Sequence, residues 1–227
     1  AQDHFGALLG NSRDVIVENV EIAARGEEGG AIHGEWITVN RAHMKKYIIL
    51  YCHGGGYSTG SSLYARTLTT KLASSTSMDV LSFDYRLAPE NPYPAATQDA
   101  MQVWDYLMLL GYGARDVILA GDSAGGNLAL SLCLKLKSEG RLMPRGLVLM
   151  SPWTEQRIKN YAAGQDLTDP QISPLFGDYE GFPPTYIQVG SNEILQDDAA
   201  LLYKKLLKDN VSVKMDVFKG MWHVFQM

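Results

Sequence analysis

Val117-Ile118-Leu119-Ala120-Gly121-Asp122-Ser123-Ala124-Gly125-Gly126 is the stretch that decides the fold. It opens on an unbroken apolar run and turns through glycines with a serine at the apex. It continues over residues 127–137 as a segment dense in leucine. An apolar run with no polar break reads as a strand covered on both faces. Strand, sharp turn and helix in that order form a nucleophile elbow, in which the serine sits in a strained backbone conformation. Side chains at 121 and 125 would collide across such a turn, so glycine is needed at both. The elbow sets the serine Oγ at a helix N-terminus, whose free N–H groups favour developing negative charge. Alone the motif is weak, because composition yields a G-x-S-x-G match in roughly one chain in seven of this length. A serine-capped helix after a glycine turn is the plain alternative.

The surrounding sequence strengthens the elbow reading. Further unbroken apolar runs stand at 47–52, 80–83, 147–150 and 186–189, with helical segments at 64–74, 95–110, 124–139 and 197–209. Strand and helix alternating in this way predict a mostly parallel central sheet with helices on both faces, an α/β domain. Val15, Val17, Val20 and Ile22 alternate loosely with polar residues. A glycine-rich turn (Gly26, Gly29, Gly30, Gly34) and the run 36–39 follow, which predicts an N-terminal antiparallel hairpin. A last strand at 211–218 leads into Gly220-Met221-Trp222-His223, and the polar stretch 156–169 shows no clear element of its own.

Composition narrows the function classes. The 227 residues fit a single domain, 1–227. With 46% hydrophobic and 20% charged residues, a disordered or fibrous chain is excluded. Twenty Lys and Arg against 25 Asp and Glu leave a net charge of -5 with no basic run. Nucleic acid and anionic membrane are therefore not expected partners. No apolar stretch approaches the roughly 18 residues of a membrane span. The opening Ala1-Gln2-Asp3-His4-Phe5 lacks the features of a signal peptide, so a cytoplasmic protein is expected. Cys52 and Cys133 each lie in an apolar run and read as buried free thiols rather than a disulfide framework.

His53-Gly54-Gly55-Gly56, directly after the run 47–52, is the more specific chemical signal. By composition it would occur in about one such chain in two hundred. Its glycines let backbone N–H groups approach a ligand, and in acyl transfer these groups would form an oxyanion hole completed by the N–H of Ala124. The alternative is an anion nest, although no Lys-Ser/Thr follows as in a P-loop. His53 is read as ordering the loop rather than transferring protons. A serine nucleophile needs a base, and the base needs an orienting carboxylate. His223 is the only histidine after Ser123; His4, His33 and His43 read as surface residues. Glu193, in Gly190-Ser191-Asn192-Glu193 after the run 186–189, is preferred as the acid, with Asp197 as the alternative. Asp197 and Asp198 also suit a helix N-terminus.

These motifs, with Asp84-Tyr85-Arg86-Leu87-Ala88-Pro89-Glu90 and Pro92-Tyr93-Pro94-Ala95-Ala96, resemble those of the hormone-sensitive lipase-like esterases, the bacterial type IV carboxylesterases. The resemblance spans nearly all of residues 35–227, and its two glycine motifs stand 70 residues apart. It implies an α/β-hydrolase fold and cofactor-free hydrolysis of short-chain esters, acetyl to hexanoyl, through an acyl-enzyme. Ser123 would be the nucleophile, His223 the general base and acid, and Gly55, Gly56 and Ala124 the oxyanion donors. Glu193 aligns with the acid, usually Asp in an Asp-Pro-Leu-x-Asp context, where this chain reads Glu193-Ile194-Leu195-Gln196-Asp197. Tyr57, Leu63, Trp153 and Trp222 flank the motifs and are candidate pocket residues, each equally an ordinary core residue.

Relatives carry N-terminal cap helices, a longer stretch between Ser151-Pro152-Trp153 and Asp169-Pro170, and a helix after the histidine. Residues 1–14 and 155–168 are therefore expected to be cap remnants, with further cap residues near 157–161 and a C-terminal helix absent from the sequence. An intact mass equal to that of the 227 residues would refute that expectation. Two other functions stay open: an amidase or arylformamidase using the same triad, and a non-catalytic ligand-binding homologue of the gibberellin-receptor kind. The expected partner is a small-molecule ester, with no metal; monomer and homodimer are both open.

Overall fold

The computed structural model describes residues 15–23, 30–39, 46–155 and 159–227. Residues 1–14 with His4, residues 24–29 of the predicted glycine-rich turn, His43 and residues 156–158 lie outside the described residues. Among the described residues eight strands form one sheet in the order β1-β2-β4-β3-β5-β6-β7-β8. They are β1 Val15–Ile22, β2 Ile32–Val39, β3 Ile48–Cys52, β4 Asp79–Phe83, β5 Val117–Asp122, β6 Gly146–Met150, β7 Thr185–Gly190 and β8 Val213–Phe218. β1 and β2 pair antiparallel, as do β2 and β4, whereas β4, β3, β5, β6, β7 and β8 are parallel neighbours. This is the α/β-hydrolase architecture with the N-terminal hairpin. β2 begins four residues before the predicted run because Gly34, read as part of the turn, pairs with Val20 and Phe83 within the sheet.

Among the described residues five α-helices accompany the strands: α1 Ser62–Thr76, α2 Ala95–Leu109, α3 Ala124–Ser138, α4 Lys159–Ala162 and α5 Gln196–Lys208. Two apolar clusters divide the core by alternate strand positions. Ile48, Leu50, Leu81, Leu119, Leu149 and Ile187 face α2, α3 and α5, while Ile49, Tyr51, Val80 and Ala120 face α1. Every residue of β3 and β4 is buried, as the unbroken apolar runs require. α3 runs through the densest part of the core, with twelve of its fifteen residues buried. The stretch read as lacking an element contains α4, whose Tyr161 ring stacks on Tyr57 at 3.8 Å. That burial explains a helical turn which the polar sequence around it conceals. Among the described residues no helix is long and apolar enough to cross a membrane.

Candidate active site

In a parallel sheet every strand delivers its C-terminal end to the same edge, and the candidate site is assembled there. Ser123 joins β5 to α3 with φ 52° and ψ -118°, a conformation that costs on the order of 1–3 kcal/mol. Hydrogen bonds over-determine it. Its N–H donates to the Met150 carbonyl at 3.0 Å, and its carbonyl accepts from Gly126, Asn127 and Trp153 at 3.0–3.2 Å. A methyl at Gly125 would run into the carbonyl groups of Cys52 and His53, so glycine lets the elbow pass beneath the His53 loop.

Ser123 and His223 lie three strands apart in the sheet order, on the order of 14 Å at normal strand spacing. The loop after β8 closes that gap by crossing the end of β7. Gly190 permits the crossing, since a Cβ there would stand 2.8 Å from the Trp222 carbonyl oxygen and closer still to that of Met221. Asn192 N–H donates to the Met221 carbonyl at 2.9 Å, and Gly220 N–H to Ser191 Oγ at 2.8 Å, which fastens the two loops together. His223 Nε2 thereby sits 3.0 Å from Ser123 Oγ. Its Nδ1 faces Glu193 Oε1 at 3.6 Å, with the imidazole 39% exposed and the Glu193 side chain wholly buried. Glu193 Oε2 accepts from the Ser151 hydroxyl at 2.8 Å and from Gly190 N–H at 3.1 Å. Asp197 is exposed in the first turn of α5, and Asp198 accepts from the Thr154 and Glu155 N–H groups at 3.0 and 3.1 Å.

The loop after β3 is braced from two sides. Asp122 Oδ1 accepts from Gly54 N–H at 2.9 Å and from the Tyr51 hydroxyl at 2.6 Å. Burial pushes the Asp122 carboxyl up to about 6, against the opposing pull of those two hydrogen bonds and of His223. His53 Nδ1 lies 2.7 Å from the Gly54 carbonyl; because a carbonyl only accepts, Nδ1 carries the proton. Burial lowers the pKa of this imidazole, which keeps it neutral. Its ring stacks on Tyr85 at 4.1 Å, and the Tyr85 hydroxyl donates to the His53 carbonyl at 2.7 Å. Tyr85 is held in turn by its neighbour Arg86, whose N–H and guanidinium bind buried Asp99 from 2.8 Å. In the sequence Asp84–Glu90 is only a family signature, and neither its bracing role nor the parts of Asp122 and Ser151 show in any local pattern. The N–H groups of Gly55, Gly56 and Ala124 donate to no described backbone carbonyl.

The four pocket candidates separate. Tyr57 is wholly enclosed, its hydroxyl donating to Asn127 Oδ1 at 2.8 Å. Leu63 is half-buried in the first turn of α1, and Trp153 packs against the core. Trp222, beside His223, is 64% exposed. His33 is exposed. A cleft of about 390 Å³ lined by Arg145, Pro184, Tyr186 and Lys214 opens at the opposite, N-terminal ends of the strands, remote from Ser123.

Comparison with known proteins agrees with this architecture. An alpha/beta hydrolase fold family matches residues 49–163 and 154–227. An esterase of Acinetobacter venetianus is 38% identical over 92% of this chain and 77% of its own length. An acetyl-hydrolase of Streptomyces hygroscopicus is 34% identical over 99% of this chain and 79% of its own. The crystal structure of a hormone-sensitive lipase from a metagenome library superposes with a TM-score of 0.89 at 33% identity, over 99% of this chain and 80% of that one.

Proposed function

The chain belongs to the α/β-hydrolase family, in its hormone-sensitive lipase-like branch of carboxylic ester hydrolases, and from that premise we propose that it cleaves short-chain esters, acetyl to hexanoyl, through an acyl-enzyme on Ser123. The observation that carries the reading is the alignment of Ser123 Oγ, the His223 ring and Glu193 Oε1, at 3.0 and 3.6 Å. The name of the Streptomyces acetyl-hydrolase supports a short acyl group.

In the proposed reaction the substrate carbonyl oxygen seats against the N–H groups of Gly55, Gly56 and Ala124. His223 takes the Ser123 proton as Oγ attacks, and Glu193 steadies the imidazolium that forms. Collapse of the tetrahedral species expels the alcohol, protonated by His223. Water then attacks the acyl-enzyme in the same way, releasing the carboxylic acid and restoring Ser123. The preorganised N–H groups stabilise the oxyanion, and losing one such donor costs on the order of 10²–10³ in rate. The buried free cysteines Cys52 and Cys133 support a reducing, cytoplasmic setting.

Hydrolysis of p-nitrophenyl esters from C2 to C12 tests the reading. Turnover is expected to peak at short acyl chains and to vanish in Ser123→Ala. Equal turnover across all chain lengths would remove the short-chain assignment, and activity surviving in Ser123→Ala would remove the mechanism.

A further inference from the structure

Ser151 has no part in the reaction as derived, yet its side chain lies at the junction of three strand ends. It follows the last residue of β6, is wholly buried, and has φ 48°, in the region that favours glycine. The strand geometry is kept up to this point, since Ser151 N–H donates to the Gln188 carbonyl of β7 at 2.7 Å. Its hydroxyl makes two contacts. Val224 N–H, one residue past His223, donates to Oγ at 3.1 Å, and Oγ lies 2.8 Å from Glu193 Oε2. An N–H group only donates and a carboxylate only accepts, so the hydroxyl proton is committed to Glu193.

We propose that Ser151 is a positioning residue for the acid–base pair: one hydroxyl ties the Glu193 carboxylate to the backbone that carries His223. The inference rests on the esterase reading above. Glu193 Oε2 is held by Ser151 and Gly190, which aims Oε1 at His223 Nδ1; Oε1 itself has no hydrogen bond in the structure. Without the hydroxyl, Oε2 keeps one donor of two, and the peptide after His223 loses its acceptor. Glutamate has one more rotatable bond than aspartate, and the Ser151 hydroxyl restrains that freedom. Glycine would suit the backbone at this position better than serine, so the hydroxyl is the feature that the side chain adds.

Ser151→Gly is the primary test, because it deletes the hydroxyl while relieving the strained φ, which offsets part of the lost hydrogen bonding, and thermal unfolding confirms the folded state; Ser151→Ala deletes the hydroxyl with the strain retained. Both should lower kcat for a p-nitrophenyl ester about 10- to 100-fold, the range for a hydrogen bond to a buried charge, with KM within about twofold. In a Glu193→Gln background, Ser151→Gly should cost less than about threefold more, because the residue acts through Glu193. A role in packing alone would give losses that add in full. Parental kcat in Ser151→Gly, or a full further loss in the Glu193→Gln background, would overturn the proposal while leaving the esterase reading in place. A parent silent on every ester would overturn both.

Discussion

Replacing Glu193 by glutamine tests the site with the least change in shape. Oε2 receives two donated hydrogen bonds, from the Ser151 hydroxyl and Gly190 N–H, so the glutamine carbonyl oxygen must take that place. The amide NH2 then stands where Oε1 faces His223 Nδ1 at 3.6 Å. A donor there requires Nδ1 to accept, which moves the ring proton to Nε2, 3.0 Å from Ser123 Oγ. In that tautomer the imidazole cannot take the serine proton. Loss of the orienting carboxylate in serine triads costs on the order of 10⁴ in kcat, about 5.5 kcal/mol. Glu193→Asp shortens the side chain by one carbon, about 1.5 Å, and opens the contact to about 5 Å. A misplacement of that size is expected to cost about 10²-fold. Asp197→Asn should stay within about twofold of the parent, because Asp197 is exposed on α5. The assay is initial-rate hydrolysis of p-nitrophenyl acetate, with thermal unfolding to confirm the folded state. Retention of more than a tenth of parental kcat in Glu193→Gln would refute the tautomer argument, and an equal loss in Asp197→Asn would move the acid.

Two further predictions concern stability. Burial raises the Asp122 carboxyl from 3.8 to about 6, so its proton is held more tightly in the folded state than in the unfolded chain. Its contribution is full below about pH 4 and is lost as pH rises through about 6, a swing of about 3 kcal/mol. The Tm of the parent relative to Asp122→Asn should therefore fall across that window, and a difference independent of pH would contradict it. Arg86→Ala leaves the Asp99 carboxylate, 3% exposed, without its guanidinium. Breaking such a pair costs about 3 kcal/mol, at the low end because the arginine itself is 27% exposed. Thermal unfolding should show Tm lowered by about 10 °C, and a fall below about 2 °C would show that Asp99 finds other compensation.

Strands β3 to β7 were legible because their apolar runs suit only a covered position, whereas β8, which carries Lys214 and Asp216, is no such run. The predicted runs match β3 to β7 to within one or two residues at their ends. The elbow was legible for a different reason: glycines at fixed spacing around a serine report a turn too tight for side chains. What could not be read were contacts between distant residues. Nothing in Asp122, Tyr51 or Tyr85 as single letters shows that one carboxylate links Tyr51 to Gly54, or that a tyrosine ring supports His53. Tyr57 looked like a pocket residue because it follows the glycine loop, but its φ of 61° turns the ring inward onto Tyr161. Polarity concealed α4 because its buried pair, Tyr161 and Ala162, runs straight into the exposed stretch 163–168.

The order of the strands explains why so many separate loops converge. β3, β5, β6, β7 and β8 are consecutive in the sheet and parallel, so each presents its C-terminal end to one edge. In that order they carry the glycine loop, Ser123, Ser151, Glu193 and His223, one component from each. No component could be supplied by its strand alone, because neighbouring strand ends are about 5 Å apart and the outer ones are farther. The chain must cross strand ends, and it does so where side chains are missing: under His53 at Gly125 and over β7 at Gly190. A substitution at either glycine should therefore act on the geometry of the site before it acts on the sheet. Gly190→Ala is the sharper case, because its methyl would push against the Met221–Trp222 carbonyls and move His223 away from Ser123. The expected result is a loss of kcat far larger than the loss of Tm would suggest, and a variant that loses stability while keeping its rate would show that the histidine loop finds another path.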